Sequence, residues 1–147
     1  MKNRSPEQKE TPAPAGVFAL VITGAPYSSQ APGTALNFAR AALAANKRIE
    51  RVFLYGDGVH LASGLSAPPA DELNLSKAWS DFLMENRIPA VACIASALRR
   101  GLINESEMKR YELPSSNLRT PYEIAGLGEW VDSVSSQTRV LYFHRGG

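Results

Sequence analysis

Four short, largely apolar runs recur along this chain, with segments of helical periodicity between them. "GVFALVITG" (Gly16 to Gly24) comes first, then "RVFLYGDG" (Arg51 to Gly58), "AVACI" (Ala90 to Ile94) and "TRVLYFH" (Thr138 to His144). The first is continuously apolar and ends on glycine, the pattern of a strand buried on both faces. Between the runs, "TALNFARAALAANKR" repeats Leu36, Ala39 and Leu43 at helical spacing, with Lys47 and Arg48 at its end. Cations there complement the helix dipole. "NLSKAWSDFLMENR" places Leu75, Ala78, Trp79, Phe82 and Leu83 on one face, with Asn74 as N-cap.

Strands alternating with helices predict an α/β fold with a mainly parallel sheet and helices on both faces. The architecture expected is a flavodoxin-like, doubly wound single domain. Its length of 147 residues suits one domain, and 44% hydrophobic residues suffice for one core. A fifth strand is placed at "SSNL", Ser115 to Leu118, on a weaker signal. "ASALRRG" reads as a helical turn or short helix after the third strand. Asn104 with Glu107 opens another helix, and Thr120, Pro121 and Glu123 predict a capped helix through about Val134. Residues 1–15 are polar and proline-bearing without periodicity, which predicts a disordered tail before a domain over 16–147.

The net charge of +2 is too small to argue for nucleic acid or a membrane surface. No apolar run approaches the roughly 18 residues of a membrane span. The first residues lack the apolar core of a signal peptide, so a cytoplasmic location is expected. One cysteine excludes an intrachain disulfide, CxxC redox chemistry and a cysteine-rich zinc site.

That cysteine, Cys93, ends the third strand in "PAVACIASALRRGL". In doubly wound sheets the ligand crevice lies beyond the carboxyl ends of the strands, where strand order reverses. Under an assumed order 2-1-3-4-5, Cys93 stands at that point, near Thr23 and Gly24. The thiolate is the reactive form of cysteine. The helix start near Ala95 would favour it, and so would Arg99 or Arg100 if either folds back. A free cysteine is also commonly plain core filling, so the residues alone leave both readings open.

Other candidates cluster after the strands. In "GAPYSSQ", Gly24, Tyr27 and Ser28 are candidates to line a pocket and offer hydrogen bonds there, or they form a plain loop; the spacing is not that of a P-loop. Asp57 and His60 in "YGDGVH" are candidates for orientation or base chemistry, against a solvated loop. Ser115, Ser116 and Asn117 are candidates for another rim. Arg99 and Arg100 tune a thiol or dock an acidic partner, or simply end a helix. Gly126 and Gly128 suggest close packing or an interface. Trp79 and Phe82 read as core or subunit contact, and His144 is assigned nothing.

Five blocks carry a family resemblance: "ALVITGAPYSSQAPGTALNFARAAL", "VFLYGDGVHLAS", "DELNLSKAWSDFL", "VACIASALRRGLI" and "SSNLRTPYEIAGLGEWVD". Together they resemble the DsrE/TusD-like sulfur-relay family, its TusD branch most closely, from about Val17 to Phe143. The tail is longer than the family pattern needs. The resemblance implies a sulfurtransferase subunit whose acceptor cysteine, matched by Cys93, takes sulfane sulfur as a persulfide and passes it to a partner thiol. It implies no metal or organic cofactor. It implies related TusB/TusC-like subunits in a cytoplasmic heterohexamer, upstream and downstream sulfur-carrier proteins, and no direct contact with nucleic acid or membrane. The expected end product is 2-thiouridine at the tRNA wobble position. The alternatives are a non-catalytic structural or binding subunit of such a complex and a DsrE-type role in dissimilatory sulfur oxidation. A stand-alone small-molecule module is a further alternative, weakened by the lack of a phosphate-cradling glycine motif.

Overall fold

The computed structural model describes residues 16–145. Strand β1 (Val17–Ile22) leads into helix α1 (Ala31–Ala44) and strand β2 (Arg48–Leu54). A 3-10 segment (Gly56–Ala62) and helix α2 (Leu75–Glu85) precede β3 (Ala90–Cys93). Short helices α3 (Ile94–Arg99) and α4 (Glu105–Arg110) follow, then β4 (Glu123–Ala125), helix α5 (Leu127–Ser133) and β5 (Thr138–Phe143).

The five strands form one sheet in the order β4-β3-β2-β1-β5, and every pairing is parallel. The α/β class with a parallel sheet is as expected, but the assumed order 2-1-3-4-5 is not the order found. From β1 the chain steps through β2, β3 and β4 in one direction, and only β5 returns to the far side of β1. The reversal therefore falls between β1 and β5, and β2 separates Cys93 on β3 from β1.

Right-handed crossovers explain how the two faces are covered. A step in one direction puts its connection on one face, and a step in the opposite direction puts it on the other. Helices α1, α2 and α3 accordingly bury Leu36, Ala39, Trp79, Leu83 and Ala97 against Leu20, Ile22, Val52, Leu54, Ala90 and Ala92 on the first face. Residues one place along in the same strands point the other way, since side chains alternate along a strand. They form a smaller second-face cluster of Val21, Phe53, Val91 and Cys93, on which Ala125, Trp130 and Val140 pack. The β4–β5 connection, which contains α5, is the one that crosses this face.

The local signals mostly hold. Asn74 caps α2 by accepting from the Lys77 amide at 3.0 Å, and Asn104 caps α4 by accepting from the Glu107 amide at 2.8 Å. Trp79 is fully buried, and its indole N–H donates to the Pro32 carbonyl at 2.9 Å. Burying a large apolar side chain stabilises by roughly 1.5–3 kcal/mol, and an indole sealed in a core requires such an acceptor.

Two expectations are corrected. The helix predicted from Thr120 begins only at Leu127, because Glu123–Ala125 pair with Val91, Ala92 and Cys93 as β4. A tertiary ladder partner outweighs the local capping signal. The fifth strand is this segment and not "SSNL", where Leu118 makes only an isolated antiparallel bridge to Ser63. Among the described residues no helix is long and apolar enough to cross a membrane.

Candidate functional site

Cys93 ends β3 and is the N-cap position of α3, where its side chain makes no capping hydrogen bond. The alternation of β3 turns Val91 and Cys93 to the second face while Ala90 and Ala92 enter the main core. Only 5% of Cys93 is exposed. Its neighbours in the second-face cluster are apolar, and Trp130 from α5 stacks on Phe53 there with ring centroids 4.9 Å apart and planes 25° apart. Cys93 lies level with Ala125 in the β3–β4 ladder, at the root of the connection that carries Trp130.

Four sequence candidates do converge, though not on the sulfur. Gly24, Ser28, Asp57 and His60 line a pocket of about 380 Å³ beyond the carboxyl ends of β1 and β2, together with Thr23 and Arg145. Cys93 is not on its wall. Arg100 pairs with one of these residues: its Nε donates to Asp57 Oδ1 at 2.8 Å, and its Nη1 donates to the Ser96 carbonyl at 3.2 Å. This arginine therefore braces α3 against the 3-10 segment. The hydrogen bond from Arg100, then its charge, hold the Asp57 carboxyl below its usual range, with smaller help from His60 and Arg145.

The remaining candidates are placed elsewhere. Tyr27 lies outside the pocket, and its hydroxyl donates to the Leu73 carbonyl at 2.8 Å and accepts from the Leu75 amide at 3.0 Å. It fastens the β1–α1 loop to the start of α2. Asn117 accepts from the Ile103 amide and donates to the Gly101 carbonyl, both at 2.8 Å, which fixes the turn after α3. Ser115 is exposed in a loop. Arg99 lines a different groove with Leu98, Ile103, Tyr111 and Leu113. Among the described residues no group of three or more His, Cys, Asp or Glu side chains is placed to hold a metal ion.

Sequence reasoning missed Trp130 and Arg145. Trp130 sits in a seven-residue helix too short for periodicity to reveal, and the glycines beside it drew the attention instead. His144, assigned nothing, has its Nδ1 3.0 Å from Thr23 Oγ1 at the carboxyl edge of the sheet.

Residues 16–143 match the profile of the DsrE/DsrF-like family. The chain belongs to that family. Among its relatives is a sulfurtransferase TusD homolog of Pseudomonas aeruginosa, 42% identical over 126 residues, which span 86% of this chain and 95% of the relative. The sulfurtransferase TusD of Cronobacter sakazakii is 37% identical over 126 residues, covering 86% of this chain and 98% of the relative. The ychN protein from Escherichia coli has the same fold, with a TM-score of 0.64, 24% identity and coverage of 86% and 98% of the two chains. As a DsrE/DsrF-like chain with relatives of this kind along nearly their whole length, the protein is a sulfurtransferase of a sulfur-relay system.

Proposed function

We propose that the protein accepts sulfane sulfur on Cys93 as a persulfide and passes it to a thiol on a partner. One observation carries this reading: Cys93 is the only thiol in the chain, so a sulfurtransferase working by thiol exchange has one residue on which to carry its cargo. The Cys93 thiolate attacks the outer sulfur of a donor persulfide. A new S–S bond forms at Sγ, the donor's S–S bond breaks, and the donor leaves as a thiolate with the bonding electron pair. In the second half an acceptor thiolate attacks the outer sulfur, and Cys93 leaves as thiolate. Each half trades one S–S bond for another, so no external oxidant or reductant enters.

The partners in this reading are upstream and downstream sulfur carriers and related TusB/TusC-like subunits of a cytoplasmic hetero-oligomer. The sulfur's destination is 2-thiouridine at the tRNA wobble position, reached without this chain touching the RNA. The burial of Cys93 favours a second reading, a non-catalytic subunit in which the thiol fills the core.

Intact-protein mass spectrometry separates the two. Wild type and Cys93→Ser are incubated with a persulfide donor, with and without partner chains, and then with a reducing thiol. The carrier reading expects a gain of about 32 Da on wild type alone, removed by the thiol. Wild type that gains no mass even with partners present would establish the second reading.

A further inference from the structure

A sulfur can join Cys93 only by approaching to a bond length of about 2 Å, and only 5% of that residue is exposed in the closed fold. The first face of β3 lies under the main core. Cys93 points to the second face, and residues 126–137 run across that face because they join β4 at one edge of the sheet to β5 at the other. That connection forms a strap over β3, β2 and β1, fastened at both ends by parallel ladders.

The middle of the strap is its weakest part. Helix α5 has seven residues and no side-chain cap. Leu127 and Val131 are 53% and 65% exposed, so they add little to its hold. Among its described side chains, Trp130 is the one packed on the second-face cluster that holds Cys93, with its ring stacked on Phe53. Beside the strap lies a groove of about 500 Å³ whose walls include Val21, Tyr55, Leu127, Trp130 and Tyr142.

We propose that this strap is a gate over Cys93 and that Trp130 is its latch: sulfur transfer takes place in the population whose α5 has lifted from the sheet. The biological meaning rests on the carrier reading above, but the gate itself does not. Trp130 acts through the accessibility of Cys93 and is a positioning residue, not a catalytic one. Lifting breaks the Phe53 stack, and α5, with seven residues, is too short to keep its turns off the sheet and unwinds; the cysteine is uncovered while the core on the first face stays intact, so opening is local.

The test is the alkylation rate of Cys93 in the full-length protein, followed by intact mass with iodoacetamide in excess at fixed pH. In wild type the rate falls well below that of a free thiol and stays flat through low urea, because local opening exposes little surface. Trp130→Ala raises it about tenfold, the scale of a lost aromatic pair, while Trp130→Phe keeps a ring on Phe53 and stays closer to wild type. Gly128→Ala pushes the other way. Gly128 lies in α5 with open space where a Cβ would go, so alanine favours the helix and slows alkylation about twofold. This opposite sign keeps the test decisive even if Trp130→Ala fails to fold.

A wild-type rate that climbs with urea in step with global unfolding overturns the gate, as does a Gly128→Ala rate equal to wild type. Failed persulfide loading with these rates intact would remove Cys93 as carrier and leave the gate standing. Loading with unchanged rates would do the reverse.

Discussion

Asp57 is a carboxylate facing cations. Arg100 donates to it at 2.8 Å, and the charges of His60 and Arg145 add to the pull. Its folded-state pKa is therefore below the ordinary 3.8. A carboxylate depressed in this way contributes stability above its unfolded value, and that contribution is lost as pH falls through the lower folded value. Because the group is exposed, the effect on stability is small, but the titration is readable. Carbon-detected NMR of the Asp57 carboxyl is expected to give a midpoint below 3.8 in wild type, moving up toward it in Arg100→Met. A midpoint indifferent to that substitution would show that Arg100 does not hold the group. Residue type and neighbourhood were legible here: Asp57 and His60 follow a strand end in one short motif and do share a pocket. That Arg100 pairs with Asp57 was not legible, because 43 residues separate them.

Elements succeed or fail by what they press against. The 3-10 segment after β2 crosses the end of β1 so closely that a Cβ on Gly58 would lie 2.0 Å from the Ile22 carbonyl oxygen. That carbonyl also accepts from the Tyr55 amide at 3.0 Å, so it is not free to give way. Gly58→Ala is expected to cost about 3 kcal/mol, the upper end of overpacking effects, read as a lowered urea midpoint at unchanged slope. A variant within about 0.5 kcal/mol of wild type, an ordinary surface effect, would mean the segment can move off β1. Helices α1 and α2 were legible because their apolar faces repeat over three or more turns. Strand β4 was not: three residues are too few for a pattern, and the Thr120 to Glu123 signal mimics a helix start. Only the adjacency of β3 makes those residues a strand.

For the whole molecule, β5 is the last piece of the sheet and the farthest in sequence from its partner. It pairs with all six residues of β1, from Val17 against Thr138 to Ile22 against Phe143. A chain stopped after Gln137 would bare one edge of β1, whose Ala19, Leu20 and Ile22 are fully buried. It would also release the far end of the strap. Such a chain is expected to lose its cooperative thermal transition by far-UV circular dichroism. A transition kept near that of the full chain would make β5 an appendage. Four strand runs, the two long helices and one cysteine at the end of the third strand were determined by the sequence alone, because local periodicity and residue chemistry are written in adjacent residues. The order of those strands, and so the strap that closes over Cys93, was decided only in the folded molecule. Both depend on which edge of β1 receives β5, and that choice is made by contacts about 120 residues apart, of which no local pattern keeps a trace.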